Sequence, residues 1–239
     1  MSSAAVWQEV ESGGYTADLP VWEELAGAAR GPVVELGCGT GRVALHLARL
    51  GHEAWAVDAD AAMIDALNAR ARAEELTVHA SLGDARNLTL ECEPALAIAP
   101  QQLIQTLDRD GRAALLRSCA AKLRPGGRLA AAIVERMPND AALAPDALPD
   151  VREAAGWVYS SLPTGVSVAN GRLAVRRRRQ AVSPAGALEE TEHVDTIELL
   201  DAAALEAEAS AAGLTAVERI AIAPGDGHAG STVVVVERS

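Results

Sequence analysis

Phenylalanine is absent from this chain of 239 residues, and tryptophan and tyrosine contribute only four and two. So few rings leave little for the stacking surfaces on which single-stranded nucleic acids are held. Lysine is nearly absent too. Lys122 is the only one, and acids outnumber the arginines enough to give a formal net charge of -12. An acidic surface repels phosphate, so no nucleic-acid partner is expected. Cysteine is confined to Cys38, Cys92 and Cys119, an odd set without metal-ligand spacing. That excludes a disulfide framework and reads as reduced thiols in a cytoplasmic protein. No run approaches the roughly 18 uncharged apolar residues of a membrane span. Met1 to Glu11 carries Glu9 and Glu11 and lacks the basic start and apolar stretch of a signal peptide. What the chain does have is aliphatic bulk. Apolar residues make up 49% of it, enough to core one domain of this length.

Hydrophobic periodicity divides the chain into alternating strands and helices. A helix over Val21–Arg30 follows the break at Leu19-Pro20, and Val33–Leu36 reads as a buried parallel strand. Val43, Leu47 and Leu50 share a helical face that Gly51 terminates. Further strands are expected over Glu53–Val57, Leu76–Ala80, Ala95–Ala99 and Arg128–Val134, with helices over Ala61–Arg72 and Asp110–Leu123. This alternation is that of an α/β, doubly wound, mostly parallel sheet. Ligands of such sheets bind beyond the carboxyl ends of the strands. Glu35–Gly41, Asp58, Asp84, Ala99–Gln102 and Glu135 all fall at that edge.

The pattern changes after Met137. Residues 138–150 read as a loop, and Trp157–Thr196 as extended segments broken at Pro163-Thr164-Gly165, Asn170-Gly171 and Pro184-Ala185-Gly186. Asn-Gly is a strong hairpin signal. This small antiparallel elaboration, about 138–200, is an insert in a single domain, 1–239, whose N-terminal segment 1–30 precedes the sheet. A helix over Asp201–Ala212 and a C-terminal antiparallel hairpin of Leu214–Ile222 and Thr232–Glu237 bring the sheet to seven strands.

The most specific string is Glu35-Leu36-Gly37-Cys38-Gly39-Thr40-Gly41-Arg42, a strand running into a glycine turn and then a helix. Glycine permits backbone angles that a Cβ forbids and lets a ligand lie against the main chain. The free N–H groups of the following helix favour a negative or polar ligand group. The spacing is neither the dinucleotide fingerprint nor the phosphate loop. It closely resembles the first motif of the class I S-adenosylmethionine (SAM) dependent methyltransferases. The resemblance runs from about Tyr15 to Glu135. It includes Leu123-Arg124-Pro125-Gly126-Gly127, similar to the family's turn before strand five, and more loosely the terminal hairpin.

That resemblance implies SAM as cofactor and S-adenosylhomocysteine as product. It implies that Gly37, Cys38, Gly39 and Gly41 carry the methionine part and that Glu35 orients the turn and the ligand's amino group. Asp58 would accept the ribose hydroxyls, while Asp60 is better placed as a helix cap. Ala59 and Met63 would flank the adenine, and Asp84 with the backbone of Ala85 would read it. The backbone at Ala99 would hold the amino group, and Tyr15, near Asp18, would cover the site.

On the acceptor side, Gln102 and Gln105 are candidate substrate contacts, or solvated. Glu135, His193 and His228 are candidate bases, needed only if the acceptor keeps its proton until late. Something must close the open edge of the sheet. The N-terminal segment with Trp7 and the insert with Trp157 and Tyr159 are expected to form the lid and the acceptor pocket, unless the insert is a dimer interface. Arg176–Arg179 is expected to pair across a ladder with Glu189, Glu190 and Glu192. No Asp pair follows strand four, so metal is not expected. The reading is methyl transfer to a small molecule. An RNA or protein acceptor, or SAM binding without transfer, are the alternatives. The acceptor atom and the oligomeric state, a homodimer among the options, stay open.

Overall fold

The computed structural model describes residues 3–136, 148–225 and 228–239. Helices α1 (Ser3–Ser12) and α2 (Leu19–Ala29) precede β1 (Val33–Leu36), α3 (Arg42–Arg49), β2 (Ala54–Asp58), α4 (Ala61–Ala73) and β3 (Val78–Leu82). Then come β4 (Leu96–Ala99), α5 (Arg109–Lys122) and β5 (Arg128–Ile133). Four strands form the insert: β6 (Asp150–Ala154), β7 (Trp157–Ala169), β8 (Arg172–Val182) and β9 (Leu188–Glu198). The chain ends with α6 (Ala202–Ala211), β10 (Leu214–Ile222) and β11 (Ser231–Arg238).

The main sheet has seven strands in the order β10-β11-β5-β4-β1-β2-β3, with β11 antiparallel to both its neighbours. Its centre is buried on both faces, and every residue of β1 and β4 is buried, which explains their unbroken apolar runs. Successive side chains of a strand feed opposite layers. Val33 packs with Trp22 and Leu47 from α2 and α3, whereas Val34 packs with Leu115 and Leu205 from α5 and α6. Asp60, Asp108 and Asp201 cap α4, α5 and α6 by accepting from backbone N–H groups. Within the α5–α6 layer Arg112 is 2% exposed and holds α5 to α6 and β9 through Glu208 (2.8 Å) and Glu198 (3.1 Å).

The seven-stranded, mostly parallel sheet and the terminal hairpin are those expected, and several local expectations change. An additional helix, α1, precedes the one anticipated near Val21, with Ala5, Val6, Glu9 and Val10 buried. Strand three begins at Val78 rather than Leu76, because Leu76 donates to the Ala71 carbonyl (2.9 Å) and so finishes α4. Pro163-Thr164-Gly165 is a bulge inside the continuous β7, not a break. Asp150–Ala154, at and beyond the end of the expected loop, pairs with β7 as an edge strand, while 138–147 of that loop lie outside the described residues.

Asn170 (φ 51°) and Gly171 (φ 72°) make the expected hairpin turn between β7 and β8. The arginine run behaves differently from expectation. Arg178 stands opposite Glu192 in register, but Arg177 pairs with Asp150 (3.2 Å) and Arg179 with Glu11 of α1 (2.7 Å). Side chains alternate across a strand, so half of the run turns inward and finds partners beyond its own ladder.

Candidate functional site

Glu35, the penultimate residue of β1, is 4% exposed, and its carboxylate accepts the Ala44 N–H of α3 at 2.7 Å. Burial pushes that carboxyl up to about 8, against the opposing pull of the Arg42 guanidinium. Beyond it the chain turns through Gly37 (φ 60°), Gly39 (φ 53°) and Gly41 (φ 87°). The turn is braced from β2. Cys38 N–H donates to the Val57 carbonyl (3.1 Å), and the Asp58 carboxylate accepts Gly39 N–H (2.8 Å) and Asp60 N–H (2.9 Å). A Cβ at Gly37 would lie 2.6 Å from Leu103 Cδ1, and one at Gly39 would lie 3.1 Å from Gln8 Nε2. Bare backbone is therefore required on the side facing the cavity.

That cavity, of about 130 Å³, is lined by Glu35, Gly37 and Arg42 from the turn, by Gln8 and Gly13 from the N-terminal segment, and by Gln101. Ala99 ends β4 fully buried, and Pro100 and Gln101 carry the cavity wall onward. Gln101 (φ 49°) and Gln102 (φ 59°) are consecutive left-handed residues without glycine, a costly backbone that tends to persist at binding sites.

Residues 33–127 match the model of the methyltransferase domain family. The CcbJ methyltransferase from Streptomyces caelestis aligns with a TM-score of 0.72 and 25% identity over 99% of this chain and 96% of that one. The chain has the class I methyltransferase fold. SAM-bound CalS10, an amino pentose methyltransferase from Micromonospora echinaspora, aligns at TM-score 0.70 and 18% identity, covering 98% of this chain and 97% of that chain. The sugar N-methyltransferase KedS8 from a Streptoalloteichus species gives 0.73 and 19%, with coverages of 98% and 91%. No curated protein matches the chain in sequence. No helix among the described residues is long and apolar enough to cross a membrane.

SAM is the cofactor of such domains, and the residues at this site fit it. The glycine turn offers unobstructed backbone. Each Asp58 oxygen accepts one backbone N–H, and a carboxylate has about four acceptor sites, so two remain for ribose hydroxyls. Ala59 is exposed beside it, and Met63 is half-buried and joins none of the three core clusters. Asp84 stands at the end of β3, the next strand but one from the turn, with Ala85 behind it against the core. The Arg86 guanidinium clamps Asp84 and holds its carboxyl below the usual carboxylate range. Such an exposed pair is worth little and yields readily to a ligand.

The acceptor-side candidates scatter. Glu135, expected to face the pocket, instead accepts Ala202 N–H (2.7 Å) and Thr232 Oγ1 (3.1 Å), anchoring α6. Gln105 is neither solvated nor at the cavity. It is fully buried and clips the end of β5 to β9 through the Val134 and Glu198 carbonyls. Gln102 lies behind Gln101 and starts a 3₁₀ turn. His193 sits on β9, 39% exposed, 3.1 Å from Asp195. His228 packs its ring on Tyr15, with centroids 4.0 Å apart, and Tyr15 in turn lies under the Arg42 guanidinium.

Trp7, Trp157 and Tyr159 do gather. Trp7 meets Tyr159 edge-on at 5.4 Å, and Trp157 stacks on Tyr159 at 6.2 Å. They form a seam between α1 and the insert. Residues 8 and 12 of α1 turn toward the cavity, and residues 7 and 11 toward the insert. Sequence reasoning missed Gln8 and Gly13, and it placed Thr40 and Gln101 at the ligand edge without giving either a role. Gln101 had a signal in its position after strand four, but α1 residues had none, since the helix itself was not foreseen.

Proposed function

We propose that this chain transfers a methyl group from SAM to a small-molecule acceptor, with the amine of an amino sugar as the favoured class. The glycine turn braced by Asp58 carries the reading, because it offers bare backbone where the cofactor's amino-acid end would lie. Support for the acceptor class comes from the neighbours described as acting on an amino pentose and as a sugar N-methyltransferase. Acidic charge and scarce rings weigh against RNA. When bound, SAM supplies an electrophilic methyl group on a sulfonium. The chain's part is to hold and orient, which alone accounts for much of such a rate. Gly37 to Gly41 and Glu35 take the amino-acid end, and Asp58 takes the ribose. Ala59, Met63, Asp84 and Ala85 take the adenine, and the Ala99 carbonyl assists at the amino group.

Calorimetry with SAM and S-adenosylhomocysteine, with a chelator control, tests the cofactor half. Labelled methyl transfer to a panel of amino sugars tests the acceptor half. Absence of heat and of any thermal shift with both ligands sinks the proposal.

Glu35 gives the binding a pH signature. With its carboxyl at about 8 the group is protonated at pH 7, and a bound ammonium favours the ionised form. Cofactor binding at pH 7 is therefore expected to release a proton. Affinity should rise by up to about tenfold per pH unit toward 8 and level off above it. Titrations in buffers of different ionisation enthalpy read the proton directly. Glu35→Gln should abolish the buffer dependence.

Of the three candidate bases, the acceptor's proton is assigned to a ring nitrogen of His228, which packs on Tyr15 beside Arg42 of the cavity wall, whereas Glu135 anchors α6 and His193 pairs with Asp195. Burial lowers its pKa, which keeps the ring neutral to lower pH than an ordinary histidine. The groups facing it are Tyr15, Asp18 and Arg42 on one side and Asp150 and Arg177 of the insert on the other. The two acids favour the charged ring, and the two arginines oppose it. The acid limb of kcat should therefore fall below the normal histidine range. His228→Gln should remove that limb and lower kcat by about 10²–10⁴-fold. S-adenosylhomocysteine affinity should not change. A retained limb would assign the proton elsewhere.

A further inference from the structure

Glu9 is an acid in the middle of α1, yet only 2% of it is exposed. Its Oε1 accepts from the Thr40 hydroxyl, inside the glycine turn, and from Arg70 of α4. Arg70 also donates to the Thr40 carbonyl at 3.1 Å. The other oxygen, Oε2, faces Arg152 of β6 at 2.9 Å, an ion pair outside hydrogen-bond geometry. One buried carboxylate thus touches the turn, the helix after β2 and the first strand of the insert. Gly13, just past α1, leaves no spare room there. A Cβ on it would stand 2.6 Å from the Glu9 carbonyl and 3.3 Å from Arg152 Nη1.

Two other residues of α1, Trp7 and Glu11, are bound to the insert. Glu11 accepts from Ser161 (2.7 Å) and, through both oxygens, from Arg179 (2.7 Å each). Trp7 meets Tyr159, and the Arg179 guanidinium lies over the Trp7 ring. Movement of Thr40 is therefore transmitted through Glu9 to a helix already fastened to the insert sheet.

We infer that Glu9 is a positioning residue that couples occupancy of the glycine turn to placement of the insert sheet. This rests on the turn being the cofactor site. A buried carboxylate with two guanidinium partners resists separation from either, because the loss of one leaves charge uncompensated away from water. Cofactor on the turn restrains Thr40, Thr40 restrains Glu9, and Glu9 restrains Arg152 and β6. The acceptor wall is then set only when the cofactor is in place.

Hydrogen exchange of the full chain, with and without saturating S-adenosylhomocysteine, tests this. In the native protein the ligand should slow exchange in the turn, residues 37–41, and also in β6, by about fivefold or more, the lower end of typical coupling between sites. Arg152→Gln alters an exposed side chain and cuts only the insert arm. It should keep the protection of the turn and lose that of β6. Glu9→Gln keeps an acceptor for Thr40 and removes the charge, and it should weaken the β6 response as well. Protection confined to the turn in the native protein, or β6 protection that survives in both variants, overturns the coupling. If the ligand protects neither region, the cofactor reading of the turn fails, and the coupling with it.

Discussion

Gly41→Ala is expected to cost about 2–5 kcal/mol of stability and to abolish binding of S-adenosylhomocysteine. Gly41 sits at φ 87°, where an L side chain costs roughly 1–2 kcal/mol. Its new Cβ would stand 2.7 Å from Leu67 Cγ, 2.9 Å from Leu67 Cδ1 and 3.3 Å from Leu45 Cγ. Both leucines are fully buried, so neither has space to retreat, and overpacking of this kind costs about 1–3 kcal/mol more. Relief comes only by moving α3 or α4, and the turn lies between them. Gly14→Ala is the control. Nothing lies within 4 Å of its Cβ position and its φ is not positive, so stability should be unchanged or slightly raised. Denaturant unfolding and calorimetry of both variants read the result. Equal behaviour of the two would refute the argument from the turn.

Asp58→Ala is expected to weaken cofactor binding by about 10²-fold or more, and Asp60→Ala by only a few-fold. Charge-assisted hydrogen bonds contribute roughly 1.5–3 kcal/mol each before solvent compensation. Asp58 is placed to make two to the ribose, and it also holds the Gly39 N–H at 2.8 Å. Its removal therefore takes away a ligand contact and loosens the turn that carries the rest of the ligand. Asp60 caps α4 through Ala62 N–H (2.8 Å), so its loss should appear in stability, at about 1 kcal/mol. Calorimetric affinities and unfolding midpoints separate the two. Equal losses of affinity would mean that the ribose acid lies elsewhere.

The proposed cofactor half of the site is carried by local signals. Glu35, Gly37, Gly39 and Gly41 lie within one strand-to-helix turn, and Asp58 and Asp84 end the next two strands of a sheet with a regular order. The acceptor half is not. Glu135 looked like a pocket carboxylate because it follows β5 at the ligand edge, but its partners are Ala202 and Thr232, 67 and 97 residues away. Gln105 looked like a substrate contact or a solvated residue on a helical stretch, and its amide is spent on a carbonyl 93 residues further on. The arginine run looked self-contained. Arg179 pairs instead with Glu11, 168 residues before it, through a helix that ten residues of weak periodicity did not announce.

The sequence by itself determined the alternating sheet, the glycine turn, the acids at the strand ends and the aliphatic core. Each of these follows from period, from backbone freedom at glycine or from side-chain chemistry within a few residues. Only the tertiary structure decided that α1 lies over the turn with Glu9 buried beneath it, that the insert is fastened to that helix, and that His228 meets Tyr15 while His193 stays at the surface. The physical reason is that a buried charge or a stacked ring is determined by what the fold brings to it from elsewhere. Its own neighbours in the chain carry no record of that partner.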